Sequence, residues 1–318
     1  MVVRVFVDGE EGTTGLQIKR RLARHQSVEL VSIDPAYRKD SSARKALLAK
    51  VDVAFLCLPD VASREAAAMA EGESVRLVDA STAFRTHPEW VYGLPELGFR
   101  ERLRSATRVS VPGCHATGFA LLAVPLIRAG ILPTDYPVTC HSVSGYSGGG
   151  KKRITEYAAE DSQSMRSPRH YALELTHKHV PEMQKVSGLD HPPHFMPIIG
   201  PYFAGMVVSL SLHTRILRNS GGPAGIRRQY AEFYAREPLI RVVPENDDGA
   251  LENGFLPATQ CNGTNRVDLF TFGTADLVAV MARFDNLGKG ASGAAIQCMN
   301  IMFGFDESDG VDLEPDER

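Results

Sequence analysis

The first third of the chain alternates between short, nearly unbroken apolar runs and stretches whose apolar residues recur three or four positions apart. Residues 2–7 (Val-Val-Arg-Val-Phe-Val) have the β-branched character of a strand. A glycine-containing turn follows at 8–15, and then Leu16-Gln17-Ile18-Lys19-Arg20-Arg21-Leu22, with helical spacing. The same reading predicts a strand over 29–33, a helix over about 41–50, a strand over 51–58, a helix over about 60–71 and a strand over 75–79. Strands without polar alternation must be covered on both faces, which is the environment of a parallel sheet between two helical layers. The first 110 or so residues are therefore predicted to be a doubly wound α/β unit.

Beyond Pro112 the pattern changes. Strands of alternating character are predicted at 207–212, 266–272 and 277–284, with Pro/Gly-rich connections around 192–205 and 219–225, so this part reads as mixed α+β. Residues 292–304 have helical spacing, and the acidic stretch from Asp306 to Arg318 is expected to be solvated and loosely ordered.

Composition narrows the function. The 318 residues carry 35 Lys+Arg against 38 Asp+Glu, a net charge of −3 with both signs interspersed. No basic stripe marks a nucleic acid or an anionic membrane as partner, and a small molecule is the expected one. No apolar run reaches the length of a membrane span, and the chain starts on a strand pattern, so a cytoplasmic location is expected. Five cysteines at irregular spacing suit no disulfide framework, and no CxxC pair suggests a metal knuckle. A thiol kept for its reactivity is the remaining use.

Gly9, Gly12 and Gly15 lie between the first predicted strand and the first predicted helix. Residues without a Cβ let the backbone approach a pyrophosphate, and a helix start offers N–H groups and the positive end of its dipole to the negative charge. Two readings of the segment after the second strand stay open. Asp34 would bond a free ribose 2′-hydroxyl and favour NAD, whereas Arg38 and Lys39 would pair with a 2′-phosphate and favour NADP.

Cys114 stands between an apolar run and a helix expected from Gly118 to Ala129. A thiol at a helix start is placed to ionise, and the same N–H groups can bind an oxyanion. Cys57, Cys140 and Cys298 sit among apolar residues and read as core; Cys261 is undecided. A thiolate beside a nicotinamide can attack an activated acyl group, hold it as a thioester and present the carbonyl for hydride transfer. His179 is the first candidate for acid/base and His177 the second. Two histidines at i and i+2 on an extended segment point to opposite faces, so they chelate poorly and no metal site is expected. The segment 142–153, rich in Ser and Gly and ending in three cations, is expected to be a flexible anion-wrapping loop, with Ser144, Gly145 and Lys151 as substrate contacts. Arg85, after a strand end, and Glu182 join the substrate candidates; Ser81 joins the cofactor candidates.

Together these segments resemble the N-acetyl-γ-glutamyl-phosphate reductases in their shorter form, within the semialdehyde dehydrogenases. The similar stretches run in order over nearly the whole chain: Val5 to Ile18, Leu56-Cys57-Leu58-Pro59-Asp60, Asp79 to Arg85, Tyr92-Gly93-Leu94-Pro95-Glu96-Leu97, Val111 to Phe119, His177 to Glu182, and Asp285-Asn286-Leu287-Gly288-Lys289-Gly290 on to Gln297. The resemblance implies NADPH-dependent reduction of N-acetyl-γ-glutamyl phosphate to the semialdehyde with release of phosphate, a step of arginine biosynthesis. It implies Cys114 as nucleophile and His179 or His177 as acid/base. Gly12, Thr13, Thr14 and Gly15 would hold the pyrophosphate, Cys57-Leu58-Pro59 would line the cofactor, and Asn286 with Lys289 to Gly293 would approach the nicotinamide side. It further implies an NADP-binding Rossmann-type domain over 1–113, completed by 286–318 as the last helix returns, and an α+β catalytic and oligomerisation domain over 114–285 that associates as a homodimer or homotetramer. Asp34 departs from what a 2′-phosphate would prefer. The alternatives are another semialdehyde dehydrogenase, of aspartate-semialdehyde or N-acetyl-aminoadipate type, and a dinucleotide-sensing protein without turnover.

Overall fold

The structure is a computed structural model and describes residues 2–159, 163–245 and 247–313. The chain forms two compact units, one of residues up to Gly113 together with Ala291–Val311, the other of Cys114–Gly290 with the segment from Asp312.

The first unit runs β1 (Val3–Asp8), α1 (Thr13–Leu22), β2 (Val28–Val31), α2 (Ser41–Leu48), β3 (Val53–Leu56), α3 (Asp60–Met69), β4 (Arg76–Asp79), β5 (Val91–Tyr92), α4 (Arg100–Arg104) and β6 (Arg108–Ser110). Among the described residues it holds a six-stranded, wholly parallel sheet in the order β2-β1-β3-β4-β6-β5. The unbroken apolar runs have the predicted cause. In β3, Val53 and Phe55 enter one cluster with Ile18 and Leu22 of α1, while Ala54 and Leu56 enter another with Leu48 of α2 and Ala66 of α3. Strand order reverses between β1 and β3, so the crevice outside their carboxyl ends is where an open α/β sheet takes its ligand.

The second unit continues with α5 (Cys114–Arg128), β7 (Thr139–Gly145), α6 (Gly150–Ala159), β8 (Arg169–His170), α7 (Val180–Ser187), β9 (His194–Gly200), β10 (Met206–His213), α8 (Gly222–Phe233), β11 (Ile240–Val242), β12 (Val267–Gly273) and β13 (Leu277–Phe284). Among the described residues its mixed sheet has seven strands in the order β11-β12-β13-β10-β7-β9-β8. In β10, Met206, Val208, Leu210 and Leu212 are buried and their neighbours less so, the period-2 pattern of a sheet with one packed face. Helix α5 is covered throughout, every residue from His115 to Leu126 being buried. Pro125 inside it has no N–H to give the Leu121 carbonyl. The Tyr234 hydroxyl donates to that carbonyl instead, at 2.7 Å. The chain then returns through α9 (Gly293–Phe303) to the first unit, where Ala295, Ile296, Met299 and Met302 enter the cluster with β1, β3 and α1.

Four expectations are corrected. Helix α5 begins at Cys114, four residues before the predicted start at Gly118, which lies inside because Val208 of β10 would stand 2.5 Å from any Cβ there. The segment 142–153 is ordered: it comprises the end of β7, a 3₁₀ turn at Tyr146–Gly149 and the start of α6, so Lys151 lies on a helix. The connection at 192–205 contains β9, with Pro197 paired to Ser142 of β7. The stretch after residue 305 is tied down in part, since Arg100 is ion-paired to Glu307 and the Asn300 amide donates to the Asp309 carbonyl at 2.8 Å. Residues 314–318 of that tail lie outside the described residues.

Candidate active site

In the first unit β1 ends at Asp8, whose carboxylate is buried against Arg44 at 2.6 Å; burial outweighs the guanidinium and holds its pKa above the ordinary value. Gly9 follows with φ +88°, and a Cβ on it would stand 2.3 Å from the Cys57 carbonyl oxygen. Only glycine fits there. The Gly12 N–H closes the turn on the Gly9 carbonyl at 3.0 Å, and Gly12 is the N-cap of α1. Thr13, Thr14 and Gly15 therefore form the first helical turn, whose N–H groups lack intrahelical acceptors. No acidic residue occupies that turn to repel an anion. Cys57-Leu58-Pro59 leaves the end of β3 alongside, the Cys57 N–H donating to the Asp8 carbonyl at 2.8 Å, and Pro59 is the N-cap of α3.

After β2, the exposed Asp34 carboxylate accepts the Ala36 N–H at 2.9 Å. Arg38 is ion-paired with Glu11 of the glycine loop, which brings it to the phosphate end of the candidate site, and Lys39 is exposed in the same turn. Ser81 donates to Asp79 at 2.8 Å at the end of β4. Arg85 donates to the carbonyls of Val111 (2.9 Å) and Ala80 (3.2 Å), so part of its donor set holds backbone.

In the second unit Cys114 is the first residue of α5 and half-buried. The run Asp285-Asn286-Leu287-Gly288-Lys289-Gly290 builds the wall beside it. The Asp285 carboxylate accepts the N–H groups of Gly263 and Leu287, each at 2.8 Å, and the Gly290 N–H reaches back to the Asp285 carbonyl at 3.0 Å. This tight turn lays Gly290 on the thiol residue: a Cβ there would be 2.8 Å from the Cys114 Cβ. Asn286, expected from sequence to approach the cofactor, is held by two hydrogen bonds in the second unit. Its Oδ1 accepts the Gly205 N–H at 2.8 Å and its Nδ2 donates to Ser147 Oγ at 3.0 Å.

His177 and His179 do not lie on an extended segment. The chain turns there, the His179 N–H donating to His177 Nδ1 at 3.1 Å and the Val180 N–H to the His177 carbonyl at 2.9 Å. The imidazoles consequently meet edge to face with centroids 4.7 Å apart instead of pointing to opposite sides. Both also pack on His115, at 5.4 and 5.5 Å. His179 is the N-cap of α7, Glu182 lies buried in its first turn, and α7 packs on α5. The structure thus brings His177, His179 and Glu182 to the helix that Cys114 begins. Ser144 Oγ donates to the Gly145 carbonyl at 3.2 Å near Asn286, and Lys151 is exposed on α6.

Sequence reasoning gave no role to His115 or Tyr171, and it placed Ser142 in an anion-wrapping loop and Gly290 in a stretch near the nicotinamide without foreseeing the contacts they make. His115 Nδ1 is 2.7 Å from Ser142 Oγ and its Nε2 is 2.8 Å from Tyr171 Oη. Burial first, then the nearby His177 and Lys178, lowers the His115 pKa to about 3, so it is a neutral imidazole. Burial and next the Cys114 charge raise that of Tyr171, against Arg153. Proximity to Cys114 in sequence was the one available signal. Three of the other thiols are held protonated: burial raises Cys57, with Asp79 and Asp8 adding to it, raises Cys140, and lifts Cys261 to about 11. Among the described residues no group of three His, Cys, Asp or Glu side chains could hold a metal ion.

Comparison with known proteins adds a lineage to this geometry. Residues 4–106 match the family described as "Semialdehyde dehydrogenase, NAD binding domain", and residues 114–286 match "Semialdehyde dehydrogenase, dimerisation domain". The chain is 46% identical over 318 residues to "N-acetyl-gamma-glutamyl-phosphate reductase 2" of Nostoc sp., covering 97% of this chain and 99% of that one. It is 44% identical over 311 residues to "N-acetyl-gamma-glutamyl-phosphate reductase" of Brucella ovis, covering 96% and 100%. Among solved structures, the aspartate semialdehyde dehydrogenase of Francisella tularensis superposes with a TM-score of 0.72 at 13% identity over 95% of this chain and all of that one. Aspartate semialdehyde dehydrogenase II of Vibrio cholerae, complexed with ASA, gives 0.68 at 14% over 96% and 99%. At those identities the likeness is one of fold.

Proposed function

The chain belongs to the N-acetyl-γ-glutamyl-phosphate reductases of the semialdehyde dehydrogenase family, and from that premise we propose how its residues reduce an acyl phosphate. It is an NAD(P)-binding oxidoreductase of arginine biosynthesis, and its substrate on this reading is N-acetyl-γ-glutamyl phosphate. The Cys114 thiolate attacks the γ-acyl carbon, the carbon–oxygen bond to phosphate breaks, and phosphate leaves with that electron pair. The first-turn N–H groups of α5 face the oxyanion that forms. A nicotinamide dinucleotide held in the first unit would supply the hydride for reduction of the resulting thioester. His179 or His177 then governs the proton on the former carbonyl oxygen as the carbon–sulfur bond breaks, which frees the semialdehyde and restores the thiolate. The observation that carries the reading is a half-buried thiol at a helix start, fixed from one side by Gly290, on a helix packed by the one that His179 caps.

The dinucleotide is held on this reading by Gly9, Gly12, Thr13, Thr14 and Gly15. The cradle that a Cβ on Gly9 would fill fits a pyrophosphate. Arg38, drawn to the loop by Glu11, and Lys39 favour a 2′-phosphate and hence NADP, because the Asp34 carboxylate is already engaged by a backbone N–H. Units 1–113 and 114–285 are read as the dinucleotide-binding and the catalytic, oligomer-forming parts. The match to a dimerisation domain supports a homo-oligomer, a dimer or tetramer, and a biosynthetic reductase without a helix long and apolar enough to cross a membrane, among the described residues, suits the cytoplasm.

The test is the reverse reaction, N-acetylglutamate semialdehyde with phosphate and NADP⁺ or NAD⁺, followed at 340 nm. Turnover with NADP⁺ that Cys114→Ser abolishes, while dinucleotide affinity is kept, is the expected result. Near-normal turnover of Cys114→Ser removes the thiol from the mechanism, and preference for aspartate semialdehyde overturns the substrate.

A further inference from the structure

The glycine loop that takes the pyrophosphate on the reading above carries two carboxylates, Glu10 and Glu11, shortly before α1 begins. Negative charge there opposes an anionic ligand, so each calls for a counter-charge. Glu10 finds one on the next element, where Lys19 of α1 donates to it at 2.6 Å. Glu11 is served from elsewhere. Its carboxylate is ion-paired with Arg38, which comes from the turn after β2.

Arg38 stands in the segment that meets the 2′ position of the adenosine ribose in a doubly wound sheet. The charged groups around it are already engaged. Arg44 of α2 is buried against Asp8 at 2.6 Å. Asp40 is the N-cap of α2 and accepts the Ala43 N–H at 2.7 Å, and the Asp34 carboxylate accepts the Ala36 N–H at 2.9 Å. The turn itself is fixed by the Tyr37 N–H on the Asp34 carbonyl and the Asp40 N–H on the Tyr37 carbonyl, each at 2.8 Å. Arg38 and Lys39 are the cations this turn exposes. With 45% of the Arg38 side chain and 67% of the Glu11 side chain exposed, the pair lies open to a ligand.

A guanidinium offers five N–H donors, and a phosphate group can take two of them at once. A ligand with a free 2′-hydroxyl leaves Arg38 with Glu11. A ligand with a 2′-phosphate must either draw Arg38 away, which strips that carboxylate of its counter-charge, or share it, which puts two anions on one cation. Both outcomes disfavour the phosphorylated ligand alone.

We propose that Glu11 is a specificity-determining residue of the dinucleotide site: it competes with a 2′-phosphate for Arg38 and holds the preference for NADPH over NADH below what Arg38 and Lys39 would give without it. The inference rests on the reading of Arg38 as a 2′-phosphate ligand. It gives an acidic residue in an anion-binding loop a role that pyrophosphate binding does not.

The test is equilibrium binding to the full chain, without substrate. NADPH and NADH differ only in the 2′-phosphate, so the ratio of their dissociation constants, read by titration of nicotinamide fluorescence, cancels any effect of residue 11 on the pyrophosphate. Glu11→Gln keeps the shape and removes the charge, and NADPH is expected to gain on NADH by about three- to fivefold, the scale of one solvent-exposed ion pair. The gain should shrink at about 1 M salt, where exposed charges are screened over roughly 3 Å. Arg38→Ala should move the ratio the other way. An unchanged or lower preference for NADPH in Glu11→Gln overturns the proposal, and so does a gain that high salt leaves intact. If Arg38→Ala lowers the preference while Glu11→Gln does not raise it, the reading of Arg38 stands and this inference fails; if Arg38→Ala leaves the ratio unmoved, both fall.

Discussion

Gly290→Ala places one methyl group against the Cβ of Cys114, the proposed nucleophile. The new Cβ would stand 2.8 Å from the Cys114 Cβ and 3.3 Å from the Asp285 carbonyl oxygen. Carbon atoms in ordinary contact stay about 3.5–4.0 Å apart, so the pair must separate by roughly 1 Å. Neither side yields easily. Helix α5 is buried from His115 onward, and the turn is held by the bond from the Gly290 N–H to the Asp285 carbonyl. If the turn gives way, the cost is that of overpacking, about 1–3 kcal/mol, seen as a lower melting temperature. If Cys114 gives way, a displacement of that size at a reacting atom lowers kcat by about 100-fold with little change in KM. Steady-state rates at 340 nm beside a thermal melt distinguish the two. A variant with both kcat and melting temperature unchanged would refute the close packing of Gly290 on the thiol.

Gly9→Ala should weaken dinucleotide binding by at least about tenfold in a fluorescence titration, because φ +88° and a 2.3 Å approach to the Cys57 carbonyl strain any Cβ by about 1–3 kcal/mol. Asp268→Asn leaves the buried Arg283, now 2.7 Å from the carboxylate, without its counter-charge and should lower stability by about 3–5 kcal/mol in urea unfolding. The folded pKa of His115, about 3, lies below its ordinary 6.5, so the unfolded chain binds the extra proton between them. This stability is complete above pH 6.5 and is lost as pH falls towards 3, with a slope of up to about 1.4 kcal/mol per unit. Urea midpoints between pH 4 and 7 should therefore depend less on pH in His115→Gln, and an equal slope in both proteins would contradict a buried neutral ring.

The parallel sheet was readable because β3 is apolar at every position, a pattern that only two covered faces produce, and Gly9 was readable because a strand-to-helix turn needs glycine at close approach. What escaped the sequence depends on contacts between distant segments. Pro197 reads as a breaker, yet β9 accommodates it in the sheet beside β7. The Ser/Gly run at 142–153 reads as mobile, but β7 ends inside it and stacking of Tyr146 on Tyr157 at 4.3 Å orders the rest. His177 and His179 converge because the backbone turns between them, which i, i+2 spacing alone does not reveal. His115 and Tyr171 are 56 residues apart, and nothing local to either announces the bond. The motif that led to Asn286 as a cofactor contact also shapes the turn that brings Gly290 to Cys114, a packing role its spacing does not announce.

Because α9 lines the cluster formed by β1, β3 and α1, the first 113 residues lack a wall of their interior until Gly293–Phe303 have been translated. A growing chain at the ribosome would have all of Cys114–Gly290 available for folding while residues 1–113 still wait with an apolar surface uncovered. A chain cut short after residue 290 should accordingly retain an ordered carboxyl-terminal portion and aggregate through its beginning.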